Sequence, residues 1–414
     1  MLNPEPSWVA RDLNPDWSLV PSRPSSEEIA PGFLVFAGGS NNYAIETDEG
    51  LLIVDPGHER LADAFHEAVR AWSTAPVHTV ALTHGHMDHA SGFGRFAAEG
   101  ERPIVIAQEN YTGRIARYRQ TYGFNQHINR RQFASPDFTF PTDFIEPTLT
   151  YADELVHSVG GLELQFRAVR GETDDYSVIW IPSRGILFVG DNATWKVPNA
   201  GNPLKVQRFP VEWVGVLESM AELDAEWLCP GHDLVLCGKE PVRSFLTAHA
   251  QYLRSLVDQV RDRMNEGQTY DEILHGVKPD PELAELPFIR AVYNHPEFVV
   301  RDLLRYWGGW WDGVGGNLLP APLSVQATEI VRLAGGIDVI INRARGLADQ
   351  GELKLACHLI DWATAAGRES LAVQQARRDI YSARMEAETI GMPKGFFRSE
   401  VAEAEDSIAQ IGGG

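Results

Sequence analysis

The chain has few cysteines, no long apolar run and no excess of positive charge. Three cysteines in 414 residues (Cys229, Cys237 and Cys357) are too few and too scattered for a disulfide framework. They read as buried apolar thiols. No apolar stretch approaches the ~20 residues that span a bilayer. The first 31 residues carry Pro, Ser and acids rather than a basic start and an apolar core, so no signal peptide is read and a cytoplasmic protein is expected. Lys and Arg number 36 against 57 Asp and Glu, a formal charge of -21. That balance argues against nucleic acid or an anionic membrane as the main partner.

What is present points to packed globular structure, with 44% hydrophobic residues and 11 Trp. The length exceeds one ordinary core, so two domains are expected. The most concentrated chemistry lies in Thr83–His84–Gly85–His86–Met87–Asp88–His89. The apolar, β-branched run Val77–Leu82 before it reads as a buried strand. Gly85 breaks that strand, and Ala90–Ala98 reads as a helix. The ligand-type residues therefore fall on a loop between rigid elements. His84 and His86 can converge on one cation, with Asp88 and His89 turning toward a second. Imidazole and carboxylate donors suit zinc at roughly 2.0–2.2 Å. Two cations about 3.5–4 Å apart can share a hydroxide that is nucleophilic at neutral pH.

Elsewhere, Phe33–Phe36, Asn42–Glu46 and Leu51–Val54 read as strands, and Leu61–Trp72 has helical periodicity. Residues 1–31 look irregular, with Trp8 and Trp17 as anchors. Tyr176–Pro182, Gly185–Gly190 and Trp227–Gly231 read as further strands. Strands interleaved with helices suggest sheet layers covered by helices.

In this order the motifs resemble the metallo-β-lactamase fold superfamily: Val54–Asp55–Pro56–Gly57, a helix, then the His-x-His-x-Asp-His loop. The resemblance implies an α/β fold, an αββα sandwich with a two-metal site at one edge. It also implies a later ligand after a glycine, a bridging acid and a final histidine. After Gly171 this chain has Glu172 where the superfamily usually has histidine, with Asp174 and Asp175 as adjacent alternatives. The zinc-dependent alkyl sulfatase branch is similar in using glutamate there. Asp191–Asn192–Ala193–Thr194 resembles that branch's acid-Asn-Ala-Thr run, and Cys229–Pro230–Gly231–His232 the final Pro-Gly-His motif. The implied ligands are His84, His86 and Glu172 on one Zn2+, and Asp88, His89 and His232 on the other. Asp191 would bridge, and Asp55 would orient a histidine. Asp88 and Asp191 are the implied catalytic acids. Trp195 departs from the branch, which tends to have histidine there.

Two segments lack acids altogether. Tyr111–Pro136 holds Arg114, Arg117, Arg119, His127, Arg130 and Arg131; Asn192–Val211 holds Lys196, Lys205 and Arg208. Guanidinium groups bind sulfate, phosphate or carboxylate through paired hydrogen bonds. An anion pocket roofing the metals is expected, with Arg208 as first contact and Lys205 and Arg131 behind it. Pairing of these bases with the acidic surface is the alternative. Tyr118, Tyr122 and Phe124 are candidates for its apolar lining.

From about Glu240 the pattern is helical. Gly309–Trp310–Trp311–Asp312–Gly313 and Asn317–Leu318–Leu319–Pro320 resemble the alkyl sulfatase dimerisation domain, which implies a homodimer. Helices over 337–348, 355–366 and 371–390, with glycines at the turns, suit helical hairpins. The expected layout is an arm over 1–32, a catalytic domain over 33–240 and an all-α helical-hairpin dimerisation domain over 241–410. The lipid-carrier-like C-terminal domain of known alkyl sulfatases is not expected here, which weighs against long-chain detergent substrates. The implied activity is hydrolysis of a small sulfate ester or similar anionic ester by a dinuclear zinc site. A lactonase, thioesterase or phosphoester hydrolase on the same fold, or a non-catalytic zinc-bearing dimer, are the alternatives.

Overall fold

The computed structural model describes residues 7–15, 17 and 23–412. Its strands run in chain order from β1 (Val9–Ala10) and β2 (Ser25–Ala30) to β3 (Phe33–Ala37), β4 (Asn41–Thr47) and β5 (Gly50–Val54). Next come β6 (Val77–Ala81), β7 (Ile104–Gln108), β8 (Leu149–Tyr151), β9 (Glu154–Val159) and β10 (Leu162–Val169). The last are β11 (Tyr176–Ile181), β12 (Ile186–Gly190), β13 (Trp227–Pro230) and β14 (Val235–Cys237). They form two seven-stranded sheets, β2-β3-β4-β5-β6-β7-β8 and β1-β14-β13-β12-β11-β10-β9.

Strand β3 explains the layering. Phe33, Val35 and Ala37 point into the core shared by the two sheets, with Val178, Phe188 and Leu228. Leu34 and Phe36 point the other way, onto Phe65 and Val69 of helix Ala62–Trp72 and onto Phe96. Both faces of the strand are buried, so its sequence is continuously apolar rather than alternating. On the far side of the second sheet lie helix Pro210–Ala221 and helix Lys239–Asn265, contributing Trp213, Leu217, Phe245 and Leu246. The result is helix, sheet, sheet, helix.

The helices from Leu323 onward have a core of their own. Ile340, Ala344 and Leu347 pack on Ala356 and Ile360, and these on Val373, Ala376 and Ile380. Among the described residues no helix is long and apolar enough to cross a membrane.

Two expectations differ. The arm is not irregular where it is described: β2 pairs with β3, and β1 pairs in parallel with β14, so it supplies an edge to each sheet. Trp8 Nε1 donates to Ser25 Oγ at 2.8 Å, and Trp17 meets Trp195 edge-on. The rest of the expected arm, 1–6, 16 and 18–22, lies outside the described residues. The single helix expected over Ala90–Ala98 is split into Met87–Ala90 and Gly94–Ala98. At Gly92 the chain passes against the backbone of Pro56 and Gly57, and the Ala90 carbonyl accepts Ile145 N–H instead of continuing the helix.

Candidate metal centre

The centre lies where both sheets end. The first sheet delivers His84, His86, Asp88 and His89 just beyond β6. The second delivers Glu172 from the β10–β11 loop, Asp191 just after β12 and His232 just after β13. Donor atoms of His84, His86, Glu172 and Asp191 lie within 4.8 Å of one another, and those of Asp88, His89 and His232 do the same. Asp191 joins the two groups: its Oδ1 is 3.4 Å from His89 Nε2 and its Oδ2 is 3.3 Å from His232 Nε2. All seven residues expected to bind metal are thus brought together.

The distances fit cations. Donors about 2.0–2.2 Å from a tetrahedral ion stand roughly 3.3–3.6 Å apart. His84 Nε2 and His86 Nδ1 are 3.6 and 3.3 Å from Glu172 Oε2. His232 Nε2 is 3.4 Å from Asp88 Oδ2. Three donor atoms facing this space, His89 Nε2, Glu172 Oε2 and Asp191 Oδ1, are buried without a hydrogen-bond partner. Leaving them so costs about 1–3 kcal/mol each, a cost that a cation would offset. The residues therefore fit the metal group that the fold family implies.

Supporting bonds fix the ring orientations. Asp55 accepts from Thr83 N–H at 2.7 Å, Thr83 Oγ–H at 2.6 Å and His89 Nδ1–H at 3.0 Å. With its own proton given to Asp55, Thr83 Oγ1 accepts from His84 Nδ1–H at 3.0 Å. His232 Nδ1–H donates to the Gly39 carbonyl at 2.5 Å. Each bond leaves Nε2 of its imidazole as the atom able to ligate; that of His84 lies 2.9 Å from His86 Nδ1, the contact an ion between them would replace. Asp55 holds a left-handed φ of 52° to do this, a conformation that a non-glycine residue keeps only when its surroundings hold it.

The acidic alternatives Asp174 and Asp175 are not ligands. Asp175 Oδ2 accepts Gly85 N–H at 2.8 Å, and Arg114 Nε–H donates to its Oδ1 at 2.6 Å. Arg114 also pairs with Asp174. This buried clamp holds the histidine loop from outside. Tyr176 had no signal in the motif reading. Its ring stacks on His84 with centroids 4.7 Å apart, and its hydroxyl accepts the backbone N–H groups of Asp191 and Asn192. Gly231 has to be glycine because a Cβ there would fall on Asp191 Oδ1 and within 2.7 Å of His89 Cε1.

Charge is balanced within the cluster. Burial, then His89 and His86, push His84 well below its ordinary pKa, keeping it the neutral ligand form. Burial opposes the charge of Glu172, yet Arg208 and His86 hold it well below the carboxylate range. Burial likewise opposes a charge on Asp88, but His89 and His232 keep it ionised.

The basic segments turn out differently from each other. None of the five arginines between Tyr111 and Pro136 lines the cavity beside the metal residues. Arg114 is the clamp just described, Arg117 lies over Tyr118, and Arg119 pairs with Glu146. Arg130 donates to the Phe138 carbonyl. Arg131 is not brought to the site: it pairs with Glu400 and Glu403 on helix Gly391–Gly412. Pairing with acids accounts for Arg114, Arg119 and Arg131 but not for Arg117 and Arg130. From the second segment, Lys196, Lys205 and Arg208 do line the cavity. Arg208 is buried against Glu172 and the Asn199 carbonyl, with Nε unpartnered. Lys205 Nζ donates to Asn129 Oδ1 at 2.7 Å, and burial followed by repulsion from Arg208 pushes its pKa down to about 8. Tyr118 lines the cavity, whereas Phe124 is 59% exposed. Trp195 is core, its Nε1–H bonded to the Leu234 carbonyl at 2.7 Å.

Two sheets capped by helices, with His, Asp and Glu donors at one edge, define a class. Residues 35–232 match the family described as the metallo-beta-lactamase superfamily, so this stretch is a metallo-beta-lactamase domain. The second match narrows this: residues 269–407 correspond to the family described as alkyl sulfatase dimerisation. The curated relatives agree. A linear primary-alkylsulfatase of a Pseudomonas species is 28% identical over 347 residues, covering 77% of this chain and 65% of the relative. An (R)-specific secondary-alkylsulfatase of Pseudomonas is 24% identical over 379 residues, covering 84% and 56%. The chain thus spans less than two thirds of the length of these relatives. Among solved structures, the sec-alkylsulfatase Pisa1 of Pseudomonas superposes with a TM-score of 0.84 at 20% identity, over 94% of this chain and 66% of that one. At that identity the likeness speaks for the fold.

Proposed function

We propose that the protein is a metal-dependent hydrolase of a sulfate ester or similar small anionic ester, working with two zinc ions per chain. One observation carries this reading: seven donor side chains from both sheets converge, three of them with buried unpartnered atoms, beside a cavity that also holds Arg208 and Lys205. His84, His86 and Glu172 would hold one ion and Asp88, His89 and His232 the other, with Asp191 between. When bound, such ions act as Lewis acids and lower the pKa of water to near neutrality. The protein's own part is positional. Arg208 and Lys205 hold the anionic end, Asp191 and Asp88 fix the two donor groups at their spacing, and the Asp55–Thr83 bonds keep the imidazoles aimed. Arg131 has no place in this scheme.

The layout taken with this reading is an arm over 1–32, a catalytic domain over 33–240 and a helical domain over 241–410 that pairs two copies, except that helix Lys239–Asn265 packs on the second sheet with the catalytic part. Trp310, Leu319 and Leu333 are 75, 91 and 83% exposed on that helical part, apolar surface of the kind an interface buries. The cytoplasm remains the location we expect.

The test is elemental analysis with sulfate release. Purified protein should carry about two zinc per chain, as the two donor groups require. It should release sulfate from a small sulfate ester and lose this with His84→Ala. Wild-type protein without transition metal after zinc reconstitution would refute the reading. A panel of lactones, thioesters and phosphoesters turned over in preference to sulfate esters would move the bond cleaved but keep the site.

A further inference from the structure

Between β12, which ends at Gly190, and helix Pro210–Ala221 the chain has no helix or strand. This loop nevertheless carries Lys196, Lys205 and Arg208, the three lysine and arginine side chains that line the cavity beside the metal residues. A loop without a backbone ladder of its own keeps a fixed shape only through what bonds it from outside.

Four such contacts come from one stretch, at positions 290, 294, 298 and 302. Val197 N–H donates to the Arg290 carbonyl at 3.1 Å. Asn294, fully buried, donates from Nδ2 to the Pro198 carbonyl at 3.1 Å. Gly201 lies so close to the Phe298 carbonyl that a Cβ would fall 2.1 Å from it. Asp302 Oδ2 accepts Arg208 N–H at 3.0 Å and Gln207 Nε2–H at 2.8 Å, and Gln207 Nε2 also donates to the Arg208 carbonyl at 2.7 Å. Phe298 and Asp302 stand one turn apart on helix Pro296–Trp307. All four positions fall within 269–407, the stretch matched to the dimerisation family.

Asp302 is 3% exposed, and a carboxylate so buried is costly unless its oxygens are bonded. Its Oδ1 accepts Arg305 Nη2–H at 2.7 Å, and Arg305 Nε–H holds Gln207 Oε1 at 2.8 Å. Beyond Arg208, Phe209 N–H donates to the Gly171 carbonyl at 3.0 Å, and the guanidinium bonds Glu172 Oε1 and the Asn199 carbonyl. Bonds thus run without a break from helix Pro296–Trp307 through Arg208 to Glu172.

We infer that Asp302, seconded by Asn294, is a positioning residue for the anion side of the site: it sets where Arg208 stands and, through Arg208, how Glu172 is aimed. The inference rests on the reading above of Arg208 as anion contact and Glu172 as ligand. Neither Asn294 nor Asp302 lines the cavity, so each acts only through the loop.

The test uses full-length protein. Calorimetry of the zinc-loaded form with methanesulfonate, a sulfonate that keeps the anion but has no ester bond to cleave, reads the anion side. Titration of the metal-free form with zinc against a coloured chelator reads the ligands. Asp302→Ala removes the acceptor and should weaken methanesulfonate at least about tenfold, the usual scale for losing a residue that orients a ligating one. It should also weaken the zinc equivalent of His84, His86 and Glu172 and spare that of Asp88, His89 and His232. Asp302→Asn keeps an acceptor oxygen for Arg208 N–H and should restore both. Equal weakening of the two zinc equivalents, as a merely structural role would give, overturns the inference. So does an equal loss in Asp302→Asn and Asp302→Ala, or wild-type behaviour of folded Asp302→Ala. If Asp302→Ala does not fold, Asn294→Ala carries the test, and full methanesulfonate affinity there overturns the inference. Failure of the wild type to bind methanesulfonate undoes the anionic-ester reading itself, and this inference with it.

Discussion

Asp55→Asn is the most informative single change, because it alters one atom and leaves the shape alone. The Asp55 carboxylate receives three donors, Thr83 N–H, Thr83 Oγ–H and His89 Nδ1–H, at 2.7, 2.6 and 3.0 Å. An asparagine tolerates the same left-handed backbone and keeps the Thr83 N–H bond through its oxygen. Its amide nitrogen then replaces Oδ2 and presents hydrogens to His89 Nδ1. The imidazole answers by moving its proton to Nε2, the atom that points at Asp191 and Asp88. A protonated Nε2 cannot ligate. Losing such a supporting carboxylate typically costs 10–100-fold in metal affinity, about 1.4–2.7 kcal/mol. The loss should fall on the Asp88, His89 and His232 group. The His84, His86 and Glu172 group should keep the tighter equivalent. Titration with zinc against a coloured chelator reads both equivalents, and a melt of the metal-free protein checks the fold. Two equivalents with wild-type affinities would refute the tautomer argument. Equal weakening of both would refute the grouping of ligands.

Three further outcomes follow from named contacts. Lys205, at about 8, loses its charge as pH rises through that value, so sulfonate binding should weaken above it, by up to about tenfold per pH unit; Lys205→Met should bind weakly at every pH, and calorimetry from pH 6 to 10 checks both. Burial raises Asp302 to about 6 from 3.8, so the folded state holds the proton more strongly than the unfolded one. Stability should therefore fall as pH rises from about 4 to 6, by roughly 3 kcal/mol from this group, and the slope should flatten in Asp302→Asn; a pH series of denaturant melts reads it. Gly231→Ala should push Asp191 and His89 out of register, and elemental analysis should find less than half the wild-type metal in a protein that still folds.

How much of this could be read from the chain depended on distance along it. The histidine loop was legible because its residues are neighbours and β6 before it is an unbroken apolar run. Glu172, Asp191 and His232 were legible only through motif resemblance, since nothing local distinguishes a ligand acid from a strand-end acid. The roof was misread. A run of arginines without acids looks like an anion site, but the partners of Arg131 stand 269 or more positions away, and composition is blind to that. β2 hid for another reason: Ser25–Ser26–Glu27–Glu28 is too polar for a core strand, and its pairing with β3 at an edge makes it one. Tyr176 is conspicuous only once His84 is seen stacked on it.

The seven donors are divided between two sheets that come from the first and second halves of the catalytic part of the sequence. An ion seated among them is therefore also a rivet. It would add to the apolar core and to the polar ties between the halves, such as Arg114 with Asp175 and His232 with the Gly39 carbonyl, so the mechanical unity of the sandwich and its chemistry share a fastening. Starved of metal, such a molecule would loosen first along the seam where its substrate enters.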